Sequence, residues 1–298
     1  MRWVDVRNAL AAALIMTPMM AGAQTPLRDS IQARIAREPG AVVAVSYRDL
    51  QTGELLHIAQ DTVFHAASTM KIPVMIEVLK RAQEGAFSLD QELLLVNQFA
   101  SLADGSPFSL NKTDDGDSVL YSKVGERVAV RELLTRMITR SSNLATNQLI
   151  ELVGAANVTA TARELGAMHL SVLRGVEDQK AFDAGMINTT TSRDLATLLE
   201  AIEKGTVLSA SSSAEMRTIL LAQEFNEKIP AGLPAGTKVA HKTGEITAVS
   251  HDAAIVYPQG TRPYVLVVLT KGIRDGAASS RLIADISRLV WDQAMARR

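Results

Sequence analysis

The hydrophobic positions change rhythm twice along the chain. Leu27, Ile31 and Ile35 fall four apart, which predicts one inward face of a short helix over 26–37. The run Ala41-Val42-Val43-Ala44-Val45-Ser46-Tyr47 reads as a strand. Leu50-Gln51-Thr52-Gly53-Glu54 turns the chain, and Leu55-Leu56-His57-Ile58 returns it. An apolar helix begins around Ser68 and ends near Glu84, before Gly85. Helical spacing then dominates: 130–139, with Leu133, Leu134, Met137 and Ile138 on one side; 144–153; 156–165, closed by Gly166; a helix from the capping hydroxyls of Thr191 and Ser192 to about Lys204; and 214–222. The strand pattern comes back at 238–243, 253–257 and 264–269. A last helix over 277–295 carries Leu282, Ile283, Ile286, Leu289 and Val290 on one stripe.

Two stretches have no period. Residues 99–122 contain Asp104-Gly105-Ser106-Pro107 and Asp114-Asp115-Gly116-Asp117, turn-forming residues that predict a long loop near the rim. The Asp114–Asp117 cluster lacks the distal glutamate of an EF-hand and reads as an exposed acidic loop. Residues 171–191 form a second irregular loop. Strands at both ends with short turns between them predict an antiparallel sheet. The fold class is therefore α+β: N- and C-terminal strands in one sheet flanked by the terminal helices, with a helical lobe from the middle of the chain. That arrangement makes a single domain with a discontinuous α/β lobe (24–65 and 205–298) and a helical lobe (66–204).

Composition narrows the function. The chain has 298 residues, 47% hydrophobic and 21% charged, an ordinary globular balance. A net charge of -1 gives no reason to expect nucleic acid or an anionic membrane as partner. The absence of cysteine removes disulfides, thiol nucleophiles and cysteine zinc sites. His57, His65, His169, His241 and His251 follow no ligand spacing, so packing or surface roles are expected and no metal or cofactor is required. At the N-terminus, Arg2 and Arg7 precede a short apolar stretch and Ala21-Gly22-Ala23, the pattern of a secretory signal cleaved after Ala23. A soluble, secreted or periplasmic monomer is the expectation.

The candidate chemistry starts at Ser68-Thr69-Met70-Lys71. Three residues apart on a helix, Ser68 and Lys71 share a face. A serine hydroxyl needs a base, and a lysine serves as one when burial or a neighbouring cation lowers its pKa. Taken alone, the tetrapeptide reads rather as a surface helix with a serine cap. Ser141-Ser142-Asn143 lies between two helices, where any of the three can cap the second. Lys242-Thr243-Gly244 lies on the first C-terminal strand, without the glycine-rich cradle of a nucleotide loop.

In this order and placement, the three segments resemble the S-x-x-K, S-x-N and K-T-G motifs of the serine β-lactamase and penicillin-binding protein superfamily. The nearest likeness, over nearly the whole mature chain, is to class A β-lactamases. The resemblance implies that Ser68 opens a β-lactam amide and forms an acyl-enzyme, with Lys71 as proton acceptor. It implies that Ser141 relays a proton to the leaving nitrogen and that Asn143 positions Lys71 and the substrate amide. Lys242 and Thr243, beside Gly244, would hold the substrate carboxylate, and the Ser68 and Glu245 N–H groups would form the oxyanion hole. Glu177 falls where the family's water-activating glutamate belongs, with Asp178 as a less favoured substitute. The loop departs from the family: Ala181 replaces an asparagine, Val176 an aromatic, and Lys180 adds a cation. Glu245, directly after the third motif, would repel an anionic substrate or pair with Lys242. The same residues serve a D-Ala-D-Ala carboxypeptidase or an esterase, or a penicillin-binding sensor that acylates without turnover. Edman sequencing of exported protein should begin at Gln24; a retained Met1 would contradict cleavage after Ala23.

Overall fold

The computed structural model describes residues 24–296. The proposed signal segment and its cleavage point before Gln24 therefore lie outside the described residues. Helix α1 (Gln24–Ile35) leads into strands β1 (Val42–Asp49) and β2 (Leu55–Ile58). A 3₁₀ turn (Ala67–Met70) opens α2 (Lys71–Gln83). There follow α3 (Val130–Thr139), α4 (Asn143–Val153), α5 (Ala155–Glu164), the short α6 (Gln179–Asp183), α7 (Ser192–Lys204) and α8 (Ala210–Leu221). The chain closes with β3 (Lys238–Ile246), β4 (Val249–Tyr257), β5 (Tyr264–Lys271) and α9 (Gly276–Ala296).

The five strands form one antiparallel sheet in the order β2-β1-β5-β4-β3. Both chain ends thus enter one sheet, as the α+β reading requires. Alternation along the strands sorts side chains into two cores. Val43, Val45 and Tyr47 of β1, Leu266 and Val268 of β5 and Val256 of β4 pack with Leu27 and Ile31 of α1 and with Leu282, Ile283, Ile286 and Val290 of α9. Ala44, Val265, Val267, Leu269, Ala253 and Ile255 face the other way, into a core shared with the middle helices. On β3, Ala240 belongs to this second face, so Lys242, two residues on, points to the same side.

Helix α2 runs through that second core. Every residue from Lys71 to Leu79 is buried, as expected for a helix apolar on all sides. Pro73 is tolerated because it lies in the first turn, where its missing N–H leaves no intrahelical bond broken. Leu133, Leu134, Met137 and Ile138 of α3 and Leu144, Leu149 and Ile150 of α4 pack in the same core. The lobe assigned to the middle of the chain and one face of the sheet thus share a continuous apolar interior.

The strands extend further than local pattern indicates. β3 continues to Ile246 and β4 starts at Val249, because the register pairs Val249 with Ile246 and leaves a two-residue turn. α8 starts at Ala210, four residues earlier than its apolar spacing shows, since the Ser209 hydroxyl accepts from the Ser212 amide as a cap. The irregular loop 171–191 holds the short α6 and a two-residue strand, Thr189–Thr190, paired with Phe64–His65. The polar stretch 99–122 differs most. It contains a small ribbon pairing Phe99–Ala100 with Pro107–Phe108. Its acidic cluster is not an exposed loop, because Asp115 and Asp117 are buried. Asp117 takes a hydrogen bond from the Arg136 guanidinium at 2.7 Å and lies 3.5 Å from that of Arg140. No described helix is long and apolar enough to cross a membrane.

Candidate active site

Ser68 sits in the 3₁₀ turn, not in α2 itself, and Lys71 is the first residue of the α-helix. In a 3₁₀ turn residues i and i+3 eclipse, so the expected shared face of Ser68 and Lys71 is kept. The turn is fastened by the Thr69 hydroxyl, which donates to the Ala66 carbonyl at 2.6 Å. Ala67, just before the serine, has φ +44°, left-handed backbone that disfavours an alanine by roughly 1–2 kcal/mol. The Ala67 amide donates to His65 Nδ1 at 3.0 Å, which holds this bend.

β3 presses against the turn. A Cβ on Gly244 would lie 3.0 Å from the backbone nitrogens of both Ser68 and Thr69, so only glycine lets the strand approach this closely. The glycine of the third motif is therefore a packing requirement. β3 is also an edge strand, so one side of its backbone is free of a neighbouring strand.

Between α3 and α4, Ser141 takes φ +55° and Ser142 serves as the cap, accepting from the Ala145 amide at 3.2 Å. This settles which of the three motif residues caps the helix. It leaves Ser141 and Asn143 free to face Lys71. The Lys71 amine contacts the Ser141 carbonyl at 2.7 Å, the Ser141 hydroxyl at 3.1 Å and Asn143 Oδ1 at 2.8 Å. Burial pushes its pKa down to about 7, against the opposing pull of Asp115 and Glu177. A neutral amine has two N–H donors and one lone pair. All three contacts are donations from the amine; when it is neutral one of them lacks a hydrogen, and the lone pair is open to take a proton.

Lys242 is fully buried, and its amine donates to the Thr243 carbonyl at 2.9 Å. Burial, then the nearby Lys71, drives its pKa well below that of an ordinary lysine. The alternative that Lys242 pairs with Glu245 is not what the structure shows. Glu245 instead takes the Lys228 amine at 3.1 Å, and Lys228 is itself buried. A second cation thus stands beside the third motif, with a carboxylate already on it. Ser68, Ser141, Asn143, Lys228, Thr243, Gly244 and Glu245 line a cavity of about 230 Å³. A larger one, about 470 Å³, opens on Ser68 from the side of loop 171–191, where Val176, Glu177, Phe182 and His65 form its wall.

Glu177 reaches this site. Its carboxylate accepts a hydrogen bond from the Asn143 amide. Desolvation raises its pKa, the Asn143 bond opposes the rise, and Asp115 and Asp114 add to it. The residue has φ +61°. It is held there by Asn147, one helical turn beyond Asn143 on α4, whose side chain accepts from the Val176 amide at 2.7 Å and donates to the Val176 carbonyl at 3.1 Å. A Cβ on Gly175 would overlap the Asn147 side chain. Asp178 also borders the larger cavity, but its carboxylate is taken up by other partners. It caps α6 through the Ala181 amide and takes the Ser101 hydroxyl and the Leu102 amide, both at 2.8 Å. The cation of Lys180 goes to Asp104 at 2.9 Å and Ser106 at 2.6 Å. Ala181, where the family's asparagine is missing, is buried.

The structure therefore gathers Ser68, Ser141, Asn143, Glu177, Thr243, Gly244 and Glu245 along two cavities that share Ser68, Asn143 and Glu245 in their walls, with Lys71 and Lys242 buried behind them. Sequence reasoning missed Asp115, Asn147 and Lys228. Asn147 had a signal, a second asparagine four positions after Asn143 and so on the same helix face. Lys228 and Asp115 had none, because their partners are remote in sequence.

A hydroxyl beside a near-neutral buried amine, on this sheet and helical lobe, defines a serine acyl-transfer enzyme. The profile described as "Beta-lactamase enzyme family" matches residues 26–294. Beta-lactamase AST-1 of Nocardia asteroides is 30% identical, over 98% of this chain and 96% of its own length. The carbapenem-hydrolyzing beta-lactamase KPC of Klebsiella oxytoca is 27% identical, over 87% and 86%. Among solved structures, PBP-A superposes with a TM-score of 0.79 at 31% identity, covering 92% of this chain and 97% of that one; a variant of PBP-A is known as an acyl-enzyme with penicillin G. The chain belongs to the β-lactamase enzyme family, as a serine hydrolase of the class A type.

A ¹³C NMR titration of the lysine methylene adjacent to the amine should show Lys71 changing charge near pH 7. A midpoint near an ordinary lysine's, with the signal assigned by loss in Lys71→Met, would contradict a desolvated amine.

Proposed function

We propose that this protein hydrolyses β-lactams through an acyl-Ser68 intermediate. The observation that carries the proposal is the Lys71 amine, buried and bonded to Ser141 and Asn143, with its pKa brought down to about 7. In its neutral form it takes the Ser68 proton as the oxygen attacks the lactam carbonyl. The negative charge formed on the carbonyl oxygen is met by the N–H groups of Ser68 and Glu245. As the ring C–N bond breaks, the Ser141 hydroxyl gives its proton to the departing nitrogen and recovers one from Lys71. Lys242 and Thr243 hold the substrate carboxylate, and the amide side chain of the substrate lies against Asn143.

Glu177 then acts as general base for the hydrolytic water. Two features support it: a carboxyl bonded to the same asparagine that holds Lys71, and a backbone anchored by Asn147. Desolvation raises the Glu177 pKa, which makes the carboxylate a stronger base toward a water proton. Water attacks the acyl-Ser68 carbonyl as Glu177 takes its proton; the bond from the carbonyl carbon to the Ser68 oxygen then breaks, and the proton held by Glu177 passes through the neutral Lys71 amine to the departing Ser68 oxygen, so that all three groups return to their resting states. In this reading the chain works as an exported monomer, processed after Ala23, with no nucleic acid or cofactor involved.

The altered loop at Lys180 and Ala181, together with the likeness to PBP-A, favours one second reading: a penicillin-binding protein or carboxypeptidase that acylates and deacylates slowly.

Ser68→Ala should lose on the order of 10⁶-fold in kcat on a chromogenic cephalosporin; hydrolysis retained by that variant would end the mechanism. Glu177→Gln should acylate and then hold its adduct, seen by intact-protein mass spectrometry. An adduct no longer-lived than the wild type's would take Glu177 out of deacylation and move the second reading ahead.

A further inference from the structure

A charge that acts on both Lys71 and Glu177, and that the motifs leave unassigned, comes from the polar stretch 99–122. Asp115 is buried, and its Oδ2 accepts from the Asn143 amide at 2.9 Å, the Leu144 amide at 2.9 Å and the Tyr121 hydroxyl at 3.0 Å; Oδ1 accepts from the Asp117 amide at 2.9 Å. Ser142 already caps α4 by taking the Ala145 amide, so Asp115 and Ser142 divide the donors of the first turn between them. The segment is pinned beside that turn. At Gly116 the backbone passes so close to the Arg140 carbonyl that a Cβ would overlap it, and Asp117 binds Arg136.

We propose that Asp115 is a positioning residue for catalysis: it fixes the backbone of Asn143, the residue whose side chain bonds both Lys71 and Glu177. The inference rests on the acyl-Ser68 reading above. Asn143 is the physical link between the amine that serves acylation and the carboxylate that serves deacylation. Its side chain can bridge the two only while its backbone is held, and a carboxylate accepting two helix N–H groups holds it with charge-assisted bonds. The same buried negative charge favours the protonated forms of both Lys71 and Glu177. The other charged groups facing the amine are Glu177 and, from β3, Lys242. Asp115 thus acts through Asn143 and touches no substrate.

Two variants separate this role from a merely structural one. Asp115→Ala removes both the acceptor and the charge. Asp115→Asn keeps an acceptor for the helix and removes the charge. Single-turnover acylation by a chromogenic cephalosporin is measured against pH, with active enzyme counted from the Ser68 adduct by mass spectrometry. Asp115→Ala should acylate about ten- to a hundredfold more slowly per active site, the loss of bonds to a charged acceptor. Asp115→Asn should recover most of that loss, with the acid limb of its profile at lower pH than the wild type's. The sign follows from the base: acylation needs the neutral amine, and removing a nearby negative charge lets Lys71 lose its proton at lower pH. Wild-type rates with an unmoved acid limb in Asp115→Asn would overturn the proposal, and that variant decides alone if Asp115→Ala does not fold. Equal losses in both variants with an unmoved acid limb would also overturn it, marking a defect of folding. A wild-type protein that forms no Ser68 adduct would overturn the functional reading and this inference together; normal wild-type acylation with unaltered variants would overturn this inference only.

Discussion

The site depends on placing one lysine amine where water cannot reach it. A charged ammonium in such a place is costly, and burial brings the neutral form within reach near pH 7. Position does this: Lys71 is the first residue of a helix buried along its first nine residues, and its partners are the Ser141 carbonyl and hydroxyl and the Asn143 amide oxygen. Each partner comes from the short junction between α3 and α4. The backbone bends needed to bring the groups together are stored beside the chemistry, in the left-handed conformations of Ala67 and Ser141. Such conformations persist only where the surroundings over-determine them. Here the surroundings are the shared apolar core on one side and the close approach of Gly244 on the other.

The two irregular stretches hold each other. Asp178 accepts from Ser101 and Leu102, Lys180 binds Asp104 and Ser106, and Glu177 meets Asn143. The residues that make loop 171–191 look unlike its relatives are the ones that dock it. Lys180 is spent on the neighbouring stretch, and Ala181 is a small buried residue whose amide completes the α6 cap. The carboxylate of Glu177 is thereby presented from a loop anchored at both ends, by Asn147 before it and Asp178 after it. A mobile segment is the usual expectation for so polar a sequence, but these bonds give it fixed partners.

Around the third motif, charge is distributed differently from what adjacency indicates. Lys242 and Glu245 are three residues apart, yet Lys242 turns inward with Ala240 and bonds the Thr243 carbonyl, while Glu245 takes Lys228. The alternation of a strand sends side chains to opposite faces, and the buried face of β3 belongs to the helical lobe. The cavity beside Thr243 is therefore lined by Lys228, which already has a carboxylate partner, while Lys242 lies buried behind it.

Much of this protein was legible in its sequence because the relevant physics is local. Periods of 3.6 and 2 located most helices and the strands, and strands at both ends required a sheet joining the termini. The shared placement of Ser68 and Lys71 could be read because three residues of separation fix a shared face in any tight helix. The three motifs could be read because their order matches a family. What remained hidden depends on contacts between remote segments. No spacing shows that Asp115 caps a helix starting at Asn143, that Lys228 pairs with Glu245, or that Asp178 ties two loops together. The acidic cluster looked like solvent-exposed loop because composition reports polarity and not partners. A buried carboxylate is admissible only when donors surround it, and those donors exist only once the chain has folded. The sequence alone determined the elements, the sheet and the family; the tertiary structure decided which polar groups are buried, and so which of them can shift a pKa or hold a catalytic backbone in place.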